Sequence, residues 1–503
     1  MKQVSRRSFL NSMVATGCVS SLSLSLAGAQ AVDPPRRRPN ILFAMADDWG
    51  WPHAGAYGDP VVKTPAFDRI ATEGVLFDHA YISTPSCTPC RNAILTGQQF
   101  YRLGPGANLH GEVDVQHPNF MFMIREQGYE IGHWRKAWGP GTFERGGYEE
   151  HPCGPGGRFD AFMEQRDTDK PFCFWFGTSD PHRPYELDSG RESGIDIDAV
   201  PVPSFWPNND TVRSDIADYY FEVQRWDSDV GEALALLEEA GELENTIVVM
   251  TGDHGMPFPR CKANLYDWGT RVPLVIRWGD RVKPNRRVTD FVSLTDLAPT
   301  FLELAGVAVP DAMTGKSLLP VLEAEDEGRV DTERDFMVFG RERHVPAQAM
   351  PSMQGYPARA LRTDQWLLIW NLESDRWPAG VPEGASHRMD IHPDCDDGPI
   401  KEFLVAHKEE PEIADYYALN FGKRPEFELY DCVNDPDQIN NLAGNAELAE
   451  TVAALRAQLL AYLEATNDPR LEDPPVKLDE QPFRPSYQEE LSERLAAHGY
   501  EWP

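Results

Sequence analysis

The chain has 503 residues and a formal net charge of −33. A chain this long buries a large core and has room for two or three domains. Its acidic balance argues against nonspecific nucleic-acid binding and requires any anionic substrate to be captured by locally placed cations. Eight cysteines in so long a chain do not make a disulfide scaffold.

Residues 1–31 read as an export signal. Ser5-Arg6-Arg7-Ser8-Phe9-Leu10 matches the twin-arginine pattern, a weakly apolar serine-rich run follows, and Ala29-Gln30-Ala31 offers a small-residue cleavage site. The Met13–Ala27 run is too short and too polar for a membrane span. Cys18 is an alternative lipidation site, although the apolar stretch continues after it. The mature protein is expected to be periplasmic or otherwise exported, with the twin-arginine export machinery as a partner.

Asn40 to Ala46 is an apolar run of the kind buried on both faces of a sheet, and it ends in Asp47-Asp48-Trp49-Gly50. Two adjacent carboxylates suit an exposed turn, or a hard cation with oxygen ligands. Residues 64–79 are predicted helical, with Thr64 as N-cap and Pro65 in the first turn. Next comes Ser86-Cys87-Thr88-Pro89-Cys90-Arg91, before a short helical pattern. Cys87 falls at a helix start, where free N–H groups favour an anion, and Arg91 follows one turn later. Cys87 and Cys90 also read as a redox dithiol or half a zinc site. No second close cysteine pair completes a zinc site, and the chain lacks the small βαβ setting of a redox motif.

Residues 101–118 are expected to be irregular and 118–126 a short helix. Tyr129–Trp134 reads as a strand leading to Arg135 and Lys136. Pro171–Gly177 is a second apolar strand, ending in Ser179-Asp180-Pro181-His182-Arg183. An amphipathic helix is predicted over 211–241. Thr246–Thr251 is a third apolar strand, ending in Gly252-Asp253-His254-Gly255. A loop with Arg260 and Lys262 follows, then a strand over 272–277 and a helix over 294–306. Three apolar strands thus end in Asp-Asp, Asp-x-His and Asp-His, and open α/β sheets bind ligands at such ends. Beyond residue 335 shorter strand-like runs appear, followed by a helix over 445–465. The predicted class is α/β, a large mixed but mostly parallel sheet flanked by helices, with a smaller C-terminal α+β domain containing an antiparallel sheet. The expected divisions are a catalytic domain over 36–335, the smaller domain over 336–467, and a surface tail over 468–503 with a terminal helix near 487–497.

Taken together, these motifs resemble the sulfatase family of the alkaline-phosphatase superfamily. Cys87-Thr88-Pro89-Cys90-Arg91 matches the family's C-x-P-x-R core, and Leu95-Thr96-Gly97 continues it. Pro39 through Asp48, Gly58 with Thr64-Pro65 and Asp68, and Asp253-His254-Gly255 match in order. So does Leu429-Tyr430-Asp431 with Asn434-Asp435-Pro436 and Asn441-Leu442. The likeness spans about residues 38–443. Ser179 to Arg183, Gly255 to Pro259 and Asn264 to Tyr266 look most like the heparan N-sulfatases, or sulfamidases, and their bacterial relatives.

The resemblance implies an alkaline-phosphatase-like fold and a formylglycine at Cys87, made by a maturation enzyme, whose hydrated form is the nucleophile. It implies a divalent cation, usually Ca²⁺, on Asp47, Asp48, Asp253 and His254. Arg91, Lys136 and Lys262 would stabilise the diol and the sulfuryl oxygens, and His182 would be the general acid. The implied substrate is a sulfated saccharide, N-sulfated glucosamine first. Alternatives are a carbohydrate or aryl O-sulfatase, a phosphodiesterase or phosphonate monoester hydrolase of the same superfamily, and a metal-dependent glycan-binding relative without catalysis. Three residues depart from the family pattern. Cys90 replaces a common serine. Trp138 stands where many members carry a substrate-contacting histidine. His254 replaces the commoner asparagine, and its imidazole also admits Mn²⁺ or Zn²⁺.

Overall fold

In the computed structural model of the protein, the apolar run Asn40–Ala46 forms strand β1, and its alternate side chains feed two separate cores. Ile41, Phe43 and Met45 face one, while Leu42, Ala44 and Ala46 face the other. Burial on both faces is why the run is continuously apolar. The structure describes residues 37–350, 352, 354–384, 391–481 and five positions between 492 and 499. The expected export signal, the Cys18 alternative and most of the expected terminal helix lie outside them. Among the described residues no helix is long and apolar enough to cross a membrane.

The remaining strands are β2 (Val75–Tyr81), β3 (Glu130–Trp134), β4 (Phe172–Gly177), β5 (Thr246–Gly252), β6 (Leu274–Arg277) and β7 (Arg286–Ser293) of the large sheet, and β8 (Phe336–Arg341), β9 (Ala358–Thr363), β10 (Trp366–Asn371) and β11 (Phe427–Asp431) of a smaller one. The large sheet runs β3-β4-β1-β5-β6-β2-β7, and all its pairings are parallel except those of β6. The small sheet runs β11-β10-β9-β8 and is antiparallel throughout. The predicted class therefore holds.

On one face of the large sheet lies the long helix Asp210–Glu239, burying Ile216, Val223, Trp226 and Val230. Complete burial of each such side chain stabilises the fold by about 1.5–3 kcal/mol. The opposite core is filled from β1, β4 and β5 together with the helix Leu297–Leu304.

Two expectations are corrected here. The helix predicted over 64–79 is Pro65–Glu73 only, because Gly74 ends it and the β-branched and aromatic run after it becomes β2. Its N-terminus is capped from a distance: Asp227 on the long helix accepts hydrogen bonds from the Ala66 and Phe67 amides, both at 2.9 Å. Between β10 and β11 the chain returns to the large core, where Ile400, Leu404, Ile413 and Phe421 are buried. The expected surface tail also changes over its described residues 468–481. Residues 468–481 are built into the fold, since Asp468, Leu478 and Asp479 are all buried. Their charges made that stretch look like a solvated tail, but Asp468, Arg470 and Asp479 are paired internally.

Candidate active site

Four neighbouring parallel strands, β3, β4, β1 and β5, carry the site at their carboxyl ends. In register, Trp134 lies beside Phe176, Met45 beside Gly177, and Ala46 beside Gly252. The next residues of each strand therefore open on one edge, which is where α/β sheets bind ligands. β1 delivers Asp47 and Asp48, β5 delivers Asp253 and His254, β3 leads to Lys136 and β4 to His182. Close approach of these loops needs glycine at Gly177, where a Cβ would collide with the Lys136 carbonyl. Asp48, Arg135, Arg260 and Ala263 all hold positive φ, between 49° and 70°, a region non-glycine residues rarely enter. They flank Lys136 and Lys262 or belong to the acidic pair itself, so the backbone is held under strain where the charged groups converge.

Cys87 opens the helix Cys87–Thr96, every residue of which is buried. Its Sγ lies 3.3 Å from His254 Nε2. Burial pushes the Cys87 thiol up despite the nearby Lys136, so an unmodified sulfur here is a neutral thiol. Cys90 points elsewhere, donating from Sγ to the Asp253 carbonyl at 2.8 Å. Every N–H of Arg91 is used: Nε donates to Asp253 Oδ2 (2.9 Å), Nη1 to the Lys136 and Ala137 carbonyls, and Nη2 to Asp47 Oδ1 (3.2 Å) and the Ala46 carbonyl. Arg91 therefore fixes two carboxylates and acts on a bound anion through its charge, with no donor to spare.

Lys136 Nζ donates to both oxygens of Asp47 at 2.6 and 2.5 Å. Burial alone would raise the Asp47 carboxyl, but Lys136 and Arg91 outweigh it and hold it well below the usual carboxylate range. Lys262 Nζ bridges Asp48 Oδ2 and Asp396 Oδ2, each at 2.8 Å. His182 stands at the rim with its side chain 33% exposed and Nε2 3.9 Å from Asp48 Oδ2.

All nine residues singled out from the sequence therefore converge. Sequence reading missed Asp396 and His344. Neither lies in a matching motif or at a strand end of the large sheet, and only chain folding brings them in. His344, neutral because burial depresses its imidazole, shares a 2.8 Å hydrogen bond with Ser86, the residue preceding Cys87. Trp138 is buried and donates to Asn92 Oδ1 at 2.5 Å, so it offers no polar group to a substrate.

The site fits a divalent cation. Ligand atoms of Asp47, Asp48, Cys87 and His182 lie within 4.8 Å of one another, as do those of Cys87, Asp253 and His254. Among the described residues Asp48 Oδ1 is buried with no hydrogen-bond partner, 3.3 Å from His254 Nε2. An orphaned buried acceptor costs about 1–3 kcal/mol, which a bound cation would relieve.

Comparison with known proteins places this geometry. A family model described as Sulfatase matches residues 39–307, and one described as N-sulphoglucosamine sulphohydrolase, C-terminal, matches residues 252–377. The chain is 31% identical to human N-sulphoglucosamine sulphohydrolase, covering 88% of this chain and 94% of that protein. It is 27% identical to an ulvan-active sulfatase of Formosa agariphila, covering 91% and 89%. A structure solved in complex with its substrate D-glucosamine-2-N,6-O-disulfate shares the fold with a TM-score of 0.62 at 21% identity, over 86% of this chain and 99% of that one.

Proposed function

The chain belongs to the sulfatase family, and we propose that it is a formylglycine-dependent sulfohydrolase that removes the N-sulfate of glucosamine from a heparan-type saccharide. It is an enzyme of the sulfate-ester and sulfamate hydrolases, with an alkaline-phosphatase-like fold. The observation that carries the N-sulfate reading is the C-terminal match to N-sulphoglucosamine sulphohydrolase over 252–377. That stretch contains Asp253, His254, Lys262 and His344, which form one side of the site.

In this reading Cys87 is the precursor of formylglycine, whose hydrated form carries the attacking hydroxyl. Asp47, Asp48, Asp253 and His254 hold a divalent cation, Ca²⁺ by preference because three of the four offer carboxylate oxygens. When bound, that cation neutralises charge on the sulfuryl group and the nucleophile. Lys136 and Lys262 present fixed ammonium groups to the sulfuryl oxygens, and their carboxylate partners keep them in place. His182, 33% exposed at the rim, donates the proton that the leaving nitrogen needs. Residues 1–31 direct export, and oxidation of Cys87 precedes it because twin-arginine transport carries folded proteins.

Two measurements test this reading. The peptide spanning Cys87 should show loss of sulfur and two hydrogens with gain of one oxygen. The mature protein should release sulfate from N-sulfoglucosamine faster than from glucosamine 6-sulfate, and the reverse order would assign it as an O-sulfatase. Chelation is a third check: EDTA should lower both sulfate release and the thermal unfolding midpoint. Added Ca²⁺ should raise the midpoint in a concentration-dependent way, since a ligand that binds only the folded state stabilises it by mass action. A midpoint indifferent to chelator and to Ca²⁺ would remove the metal from the proposal.

A further inference from the structure

Among the site's carboxylates, Asp396 differs in where it sits and what it lacks. Arg91, Lys136 and the Asp48 amide enclose Asp47 and Asp253, whose side chains, like that of Asp48, are at most 2% exposed. Asp396 is 22% exposed, and among the described residues its side-chain hydrogen bond is the one that Lys262 Nζ donates to Oδ2. It therefore stands on the open side of Lys262, away from the buried Asp48. His182, 33% exposed, is another partly open group of the ring.

The residues just before Asp396 are tied into the fold. His392 bonds the Gly380 carbonyl and the Tyr417 hydroxyl at 2.9 and 2.8 Å. Asp394 pairs with Arg341 at 2.6 Å and accepts from the Val345 amide. Lys401 donates to the Cys395 carbonyl at 2.8 Å. A carboxylate held this firmly at the mouth of a site is preorganised for a group that arrives there.

We infer that Asp396 receives the leaving amine and makes the site selective for sulfamates over sulfate esters. The inference rests on the N-sulfatase reading and deepens it. The chemistry is one of charge. Hydrolysis of R–NH–SO₃⁻ by water breaks the N–S bond, leaves its electron pair on nitrogen and gives R–NH₃⁺ and SO₄²⁻. Hydrolysis of R–O–SO₃⁻ gives a neutral alcohol, sulfate and a free proton. Positive charge thus develops on the sugar only in the first case. A fixed carboxylate beside the leaving atom stabilises that transition state and does little for the second. His182 gives the sulfamate nitrogen one proton, making R–NH₂⁺–SO₃⁻. The N–S bond then breaks with its electron pair left on nitrogen as R–NH₂, and a second proton from the consumed water makes R–NH₃⁺. Asp396 faces the positive nitrogen before and after cleavage, while Lys262 keeps the carboxylate turned toward the cleft.

Two readouts test this with the mature protein. The ratio of kcat/KM for N-sulfoglucosamine to that for 4-nitrophenyl sulfate should fall by ~10-fold or more in Asp396→Asn, and Asp396→Glu should recover part of it. Loss of Lys262 positioning alone would lower both substrates equally and leave the ratio unchanged, which overturns the inference. Calorimetric titration with the free sugars near pH 6 is independent of turnover. Wild-type protein should bind glucosamine about 10-fold more tightly than N-acetylglucosamine, and Asp396→Asn should abolish that preference. An unchanged preference also overturns the inference. If the wild-type protein releases no sulfate from N-sulfoglucosamine, the N-sulfatase reading fails by itself, and the binding preference still judges Asp396.

Discussion

Replacing Cys87 with alanine is expected to lower sulfate release by about 10⁴-fold or more, the scale on which loss of a nucleophile abolishes turnover. The reason lies in the proposed conversion of the residue to formylglycine. Among the described residues the buried neutral thiol has only His254 as a base in hydrogen-bond reach, and in the proposed function that imidazole holds the cation. Cys87→Ser should do no better over many turnovers, because a serine lacks the second hydroxyl that expels sulfate from the covalent intermediate. Both variants should keep the Ca²⁺ dependence of the unfolding midpoint, since the proposed cation ligands are untouched. An alanine variant retaining more than a few per cent of wild-type turnover would sink the formylglycine proposal.

The second large effect is on stability, and it concerns the segment expected to be a tail. Arg359 is fully buried between Asp468 and Glu342, with ion-pair distances of 2.6 and 2.8 Å. Arg470 joins Glu342 at 2.5 Å and also pairs with Asp479, and Asp479 binds Arg376 at 2.7 Å. Truncating Arg359 leaves two buried carboxylates underpaired, a loss of about 3–5 kcal/mol. Arg359→Ala should therefore shift the urea unfolding midpoint down sharply, and deletion of everything after Asn467 should prevent folding to the native state. A truncated chain with wild-type stability would show that the network contributes nothing. Activity should suffer too. Glu342 is two residues from His344, which holds Ser86 ahead of Cys87.

What the sequence made legible follows from period and position. β1, β4 and β5 are buried on both faces, so their apolar runs were readable, and the polar residues ending them marked the site. The helix Asp210–Glu239 declared itself through its amphipathic spacing. By contrast, β7 carries Arg286, Arg287, Thr289 and Asp290, and its Arg286 side chain is buried against the carbonyls of Val321, Leu322 and Asp326. A strand that buries charge by tertiary pairing has no apolar signature. β9 hides in the same way, with Arg359 and Arg362 both buried and paired. Asp396 and His344 were invisible for a different reason. Each lies in a loop among other charged residues that look alike in the sequence, and its relevance depends on contacts with Lys262 and Ser86 far away in the chain.

One feature of the nucleophile segment bears on how the enzyme comes to exist. Cys87 is 2% exposed, and its helix is buried from end to end. No second protein can reach that sulfur in the finished fold. On the proposed formylglycine reading, oxidation of Cys87 must therefore win a race against folding, on a chain still extended around it. On that reading, molecules that fold first are locked as thiols and stay inert, however well they bind metal or substrate. The specific activity of any preparation would then record the outcome of that race, the fraction of chains modified before they closed.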